Sequence, residues 1–304
     1  MSRPVEEASV KGFRRSFLYI LYDLFKIKQT ILLVYVGIFG YLIAAGYSID
    51  LYKLVLIITG LFTTISGTTG FNMIYDADID AIMMRTRDRV IPRGDISRRE
   101  AFAISFPTLL IGLIVSYTVS PLFFVAALIG FIIDIIAYTL ITKRITWISV
   151  VIGGFAGGMP TFGGYVAHTD KIDLYAISLM LIVALWSSPH IWYISAYYKE
   201  DYIKARIPTL SVVKGVGAMA KVSALMIGII FCVIIIDHVA GGFKMWLSLT
   251  TSAVMTIILI KRMLTHNDYT SRSEIRKIFK FLSPYLALIF LTMYLDKIFF
   301  YINF

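Results

Sequence analysis

NMIYDADIDAIMMRTRDRVIPRGDISRRE, residues 72–100, holds six arginines and six carboxylates in 29 residues, and it leads directly from one long apolar segment into the next. Asn72, Asp76 and Asp80 recur at every fourth position, so on a helix they lie along one face, with Asp78 on roughly the opposite side. Like charges one turn apart repel by about 0.2–0.5 kcal/mol unless a cation lies between them. A divalent metal meets that need, and carboxylates at membrane depth are costly enough to mark function. The arginines that follow supply the planar fork that phosphate accepts in bidentate fashion. Mg2+, which takes one or two carboxylates plus phosphate oxygens, is the metal that suits such a mixture. A solvated loop explains Arg93, Arg98 and Arg99 equally well.

The flanking sequence sets the architecture. The chain has 304 residues, 58% of them hydrophobic, above the ~45–50% of soluble domains, and its mean hydropathy is +0.79. Apolar runs of about 20 residues fall near 29–47, 51–75, 101–119, 122–141, 147–167, 174–196, 220–238, 243–260 and 278–299. The expected fold is all-α: a polytopic membrane protein with nine transmembrane helices and the lipid bilayer as its surroundings. The net charge of +10 is not a nucleic-acid signal, because 25 of the 29 Lys and Arg lie before the first segment or in the second, fourth, sixth and eighth connections. By the positive-inside rule these parts and the N-terminus are cytoplasmic, with the acidic motif on that side of the cell membrane. Residues 1–28 carry no secretory signal. Phe13, Phe17, Leu21 and Leu24, with Arg14, Arg15, Lys26 and Lys28, read as an interfacial helix ahead of a single membrane domain at 29–304. The lone Cys232 excludes an internal disulfide and reads as a packing residue. The second and sixth connections each run from acidic to basic residues to a proline (Pro92, Pro208), which hints at an internal repeat.

A second acidic point stands in WYISAYYKEDYIKARIPTL, residues 192–210. Glu200 and Asp201 are adjacent, so on a helix they point about 100° apart and do not face one metal equally. Asp201 with Lys204, three residues on, is a candidate for completing a phosphate site; a surface ion pair is the plain alternative. Tyr138, Lys143 and Arg144 end the fourth segment on the basic side, where topology alone also accounts for the two cations. Asp134 lies inside that segment and needs a partner or a proton. His190 sits after Pro189 within the sixth segment, while His168, His238 and His266 fall near loop edges. GGFAGGMPTFGG, residues 153–164, serves either close helix packing or passage of a flat ligand.

NMIYDADID resembles the NxxxDxxxD signature of the UbiA superfamily of membrane prenyltransferases, and the helix count agrees. More narrowly, YDADIDAIMMRTRDRVIPRG (75–94), SPHIWYISAYYKEDY (188–202) and FKFLSPYLALIFLTMYLD (279–296) resemble the heme O synthase branch, the protoheme IX farnesyltransferases. The resemblance implies transfer of a prenyl group, farnesyl or geranylgeranyl, from its diphosphate to a vinyl group of heme B, with water then adding to give heme O. It implies that Asn72, Asp76 and Asp80 bind the Mg2+-diphosphate and that Arg85 and Arg89 contact phosphate or a heme propionate. It further implies that Glu200 and Asp201, the second acidic point, serve as metal ligands with Asp76 and Asp80, and that Tyr138, Lys143 and Arg144 lie near the diphosphate. It also implies that His190 ligates or orients the heme, and that a heme A synthase or a terminal oxidase assembly is a downstream partner. Two departures stand out. Tyr198 and Tyr202 flank Glu200 and Asp201 where many members have a second spaced DxxxD, and Ala205-Arg206-Ile207-Pro208-Thr209 replaces the branch's AGIPM.

Two other readings are open from the residues. The same fold could serve a quinone-precursor aromatic acid or a glycerophosphate lipid as acceptor. A secondary transporter would use Asp76, Asp80 and Asp134 as a cation relay, but transporters place such residues near mid-membrane, whereas these motifs sit at helix ends.

Overall fold

The computed structural model describes residues 16–240 and 245–301. Phe13, Arg14 and Arg15 of the expected interfacial helix lie outside them. The described residues form α1 (Phe17–Leu24), α2 (Ile27–Ala45), α3 (Leu51–Ile82), α4 (Arg98–Val119), α5 (Pro121–Phe131, continued by a π-helical segment Ile132–Thr142) and α6 (Ser149–Thr169). The second half adds α7 (Leu174–Tyr197), α8 (Lys199–Lys204), α9 (Leu210–Val213), α10 (Gly215–Ala240), α11 (Trp246–Leu264) and α12 (Arg272–Tyr301). Among these residues there is no strand, and nine helices are long and apolar enough to cross a bilayer.

Local chemistry sets the helix starts. Asp50 accepts the Lys53 amide at 3.0 Å and caps α3, Ser97 and Glu100 form a reciprocal capping box on α4, and Ser120 followed by Pro121 opens α5. Each satisfies amides that the first helical turn leaves without partners. At the other extreme, α3 runs to Ile82, seven residues beyond the apolar run that predicted it, so Asp76 and Asp80 lie within the helix.

Backbones approach one another closely along three seams. A Cβ on Gly164 of α6 would lie 2.0 Å from the Gly37 carbonyl of α2, and one on Gly67 of α3 would lie 2.6 Å from the Leu109 amide of α4. One on Gly154 of α6 would meet the Ala184 carbonyl of α7 at 2.4 Å. With lipid outside as apolar as the core, such close packing holds membrane helices together.

α1 docks differently from the expected interfacial face. Ile20 and Leu24 are buried against Met73, Ile74 and Ala77 of α3 and against Val90 and Ile91 of the following loop, whereas Phe17 is 63% exposed. Asp23 accepts the Val90 amide at 2.9 Å. The face spaced four apart at 20 and 24 thus meets protein, and α1 braces the loop that follows the acidic motif. Cys232, read as packing, is exposed on α10. His238 and His266 are buried rather than interfacial: one accepts the Met245 amide, the other pairs with the Tyr193 hydroxyl at 3.2 Å.

Candidate active site

The last turns of α3 carry the acidic motif into a cavity of about 550 Å³ that reaches from the basic end of the bundle into its apolar middle. Asn72, Asp76 and Asp80 all line it and all are buried. Each is met by a cation from a different part of the chain. Lys26 Nζ donates to Asn72 Oδ1, Lys143 Nζ lies 2.5 Å from Asp76 Oδ2, and Arg89 Nη1 lies 2.7 Å from Asp80 Oδ2. Asp76 Oδ1 is buried with no hydrogen-bond partner.

In the sequence Lys26 reads as one of the cations of the interfacial helix, and nothing in its immediate context distinguishes it from Lys28. The chain adopts a left-handed conformation there (φ 45°), which separates α1 from α2 and directs the lysine into the cavity. Burial, reinforced by the nearby Arg89 charge, lowers its pKa to about 8.

The opposite wall comes from the π segment. Its bonds run five residues back, as in Lys143 N to Tyr138 O at 2.8 Å. Residues five apart point about 140° away from each other on an α-helix. Widening the turn to about 4.4 residues brings Asp134, Tyr138 and Lys143 to one face, and all three line the cavity. Lys143 Nζ also lies 5.4 Å from the centroid of the Tyr138 ring. Burial works against the Lys143 charge, but the Tyr138 oxygen and the Asp76 carboxylate outweigh it and hold the ammonium above the usual lysine range. Thr139 ties this wall to α3: its hydroxyl accepts from Asn72 Nδ2 at 2.9 Å and donates to the Asp134 carbonyl at 2.7 Å.

Deeper in, α6 and α7 supply the third side. Gly153 and Gly157 face the cavity, with Tyr138 beside the first and Ser187 beside the second. The glycine-rich run packs α6 on α7 through Gly154, and Gly153, Gly154 and Gly157 line the cavity. His190 lines the cavity, stacked on Trp186 with ring centroids 4.7 Å apart, and its Nδ1 is buried without a partner.

Not every expected residue reaches the cavity. Glu200 and Lys204 are exposed and outside its lining. Asp201 is buried, but its Oδ2 accepts the Arg85 amide at 3.1 Å, so it joins the sixth connection to the second. Adjacent positions on the short α8 cannot face inward together, and Asp201 takes the inward one. Arg144 turns out to Asp78, which it holds through two bonds of 2.7 and 2.8 Å. Arg85 and Arg89 do line the cavity, and Arg85 lies 5.5 Å from the centroid of the Tyr198 ring. Tyr202 and Thr209 complete the rim.

The donor set fits Mg2+. All the acidic ligands offered are oxygens, one of them a buried and unpartnered carboxylate oxygen. Among the described residues no three His, Cys, Asp or Glu side chains converge on a metal position. A cation held here would complete its shell with diphosphate oxygens and water, which is the habit of Mg2+.

The sequence pattern of the UbiA prenyltransferase family matches residues 33–284. A protoheme IX farnesyltransferase from Thermofilum pendens is 40% identical over 282 residues, covering 90% of this chain and 97% of that protein. In fold, the chain is similar to a digeranylgeranylglyceryl phosphate synthase, with a TM-score of 0.76 at 22% identity, covering 92% of this chain and 98% of that one. It is also similar to a UbiA homolog from Archaeoglobus fulgidus bound to GPP and Mg2+, with a TM-score of 0.61 at 16% identity, covering 90% and 99%. A family match over most of the chain, together with a relative of that identity, means that the chain belongs to the UbiA prenyltransferase family, in its protoheme IX farnesyltransferase branch, and is a membrane-embedded prenyltransferase.

Proposed function

We propose that the chain makes heme O by moving a farnesyl group from its diphosphate to a vinyl group of heme B, at the cytoplasmic face of the cell membrane. One observation carries this reading. A single membrane-depth cavity joins the Asn72, Asp76 and Asp80 cluster to a wall where His190 stacks on Trp186 with Nδ1 unpartnered. The acceptor is supported by the Thermofilum relative's name, and the facing by the 25 of 29 basic residues on the motif's side.

Asp76 and Asp80 would hold Mg2+ together with the diphosphate, and the metal when bound neutralises charge that builds on the leaving oxygen. Lys26, Lys143 and Arg89, which neutralise the cluster in its free state, turn to the phosphate oxygens and stabilise the leaving group more than the ground state. Arg85 adds a fork at the rim. Phe123, Phe131 and Ile191 keep the deeper cavity apolar, which protects the allylic cation from bulk water. His190 orients the heme, as iron ligand or hydrogen-bond donor. The product feeds a heme A synthase or a terminal oxidase assembly.

The test is reconstitution of the purified protein with heme B, Mg2+ and either farnesyl or geranylgeranyl diphosphate, with products read by mass. A hydroxyethylprenyl heme is expected. Prenyl transfer onto an aromatic acid or a glycerophosphate with release of diphosphate, and none onto heme, would overturn the acceptor. His190→Ala should weaken heme binding and leave diphosphate binding intact; equal loss of both would make His190 structural.

A further inference from the structure

Asp134 is the one carboxylate lining the cavity that forms no ion pair among the described residues: Asp76 has Lys143 and Asp80 has Arg89. A carboxylate at that depth is expensive, and neither diphosphate binding nor heme orientation uses it. It lies on the same π-helical face as Tyr138 and Lys143 but further from the basic end, about one turn inward of Tyr138. Its main chain is fixed to the diphosphate end through Thr139 and Asn72. The same cavity is lined by the glycine wall of α6, whose Gly153 adjoins Tyr138, and by His190 of α7. Asp134 thus lines, inward of the diphosphate end, the same cavity that His190 lines.

The chemistry between those two places has an unmet need. The prenyl cation adds to the terminal carbon of the vinyl group, forming a carbon–carbon bond and leaving positive charge on the carbon next to the porphyrin ring. Water then attacks that carbon through oxygen, and the oxonium so formed must lose one proton to become the alcohol. If no base takes that proton, the cation is free to shed a proton from its neighbouring CH2 instead, and the product is an alkene with one water fewer.

Resting on the heme reading above, we propose that Asp134 is the proton acceptor for this hydration step: it holds the attacking water by a hydrogen bond, and its carboxylate takes the proton, later returned to solvent. A carboxylate here also favours the cation electrostatically without blocking the apolar path to it.

The experiment compares wild type, Asp134→Asn and Asp134→Glu, given heme B and farnesyl diphosphate with Mg2+ in H2(18)O. The measured quantity is the ratio of hydroxylated to dehydrated prenyl heme, by mass. Wild type should give mainly the labelled alcohol. Asp134→Asn should lower the alcohol-to-alkene ratio at least about a hundredfold, within the about 10²–10⁴-fold that a positioned base supplies, and Asp134→Glu should restore part of it. An unchanged ratio in Asp134→Asn overturns the proposal. Loss of all prenylated heme in both variants, with diphosphate binding kept, also overturns it, placing Asp134 at an earlier step. Should Asp134→Asn not fold, Asp134→Ser, which also lacks the carboxylate, decides: a lower alcohol-to-alkene ratio supports the proposal, and an unchanged ratio refutes it. If wild type itself makes no prenylated heme, the heme reading fails instead.

Discussion

Asp76 has two oxygens with different surroundings, one on Lys143 and one buried with no partner. Replacing the carboxylate by an amide leaves the shape and removes the charge that metal and lysine share. Asp76→Asn, and Asp80→Asn by the same logic, should lower kcat/KM by about 10²–10³-fold or more, as for other groups aimed at developing charge; turnover within threefold of wild type would remove them from the site. Lys26 adds a pH dependence. Its pKa of about 8 in the free protein means the ammonium is present below that value and lost as pH rises through it. Since diphosphate selects the charged form, affinity for a non-hydrolysable prenyl diphosphate should fall about tenfold between about pH 7 and pH 9. Lys26→Met should bind weakly and show a flat profile over that range, readable by titration calorimetry.

At the level of elements, α6 meets α7 and the cavity along one face, at different distances. Gly154 presses on the α7 backbone, where a methyl group would stand 2.4 Å from the Ala184 carbonyl. Gly157 faces the cavity, where a methyl would meet the Ser187 hydroxyl at 3.0 Å, a group that can rotate away. Gly154→Ala should therefore destabilise the protein by about 1–3 kcal/mol, the cost of overpacking, seen as a lower Tm in detergent. Gly157→Ala should leave Tm near wild type. Equal shifts in the two would mean that the seam is not as tight as the geometry makes it. The π segment is the second such element. Without its wider turn, Tyr138 and Lys143 would diverge, and Lys143 could not reach Asp76.

Considering the whole molecule, the N-terminal part and three of the basic connections meet at one end. Lys26 contacts Asn72, Asp201 contacts the Arg85 amide, and Arg144 contacts Asp78. At the other end Tyr47 donates to the Ile298 carbonyl at 2.8 Å. By the charge rule we propose that the first end faces the cytoplasm. In a Cys232→Ser background, single cysteines at Lys204 and Tyr269 should react with an impermeant maleimide only from the cytoplasmic side, and one at Ile172 only from outside. All three positions are exposed. The reverse pattern would invert the topology and move the site to the outer face.

Much of this was legible in the residues themselves. Nine spans follow from runs of apolar side chains, because a bilayer admits helices and little else, and the spacing of Asn72, Asp76 and Asp80 follows from the helical repeat. Neither depends on distant contacts. The partners of those residues did depend on them. Lys26 and Lys143 lie 46 and 67 positions from the groups they meet, and no local pattern separates them from cations that only set topology. Asp201 and Arg144 looked like site residues and were drawn to the Arg85 amide and to Asp78. Sequence alone determined the number of spans and the acidic face, since both are properties of one segment in its solvent. Tertiary structure decided which cations face that acidic row, through the left-handed residue at Lys26 and the widened turn ahead of Lys143, because only packing fixes where two such bends point.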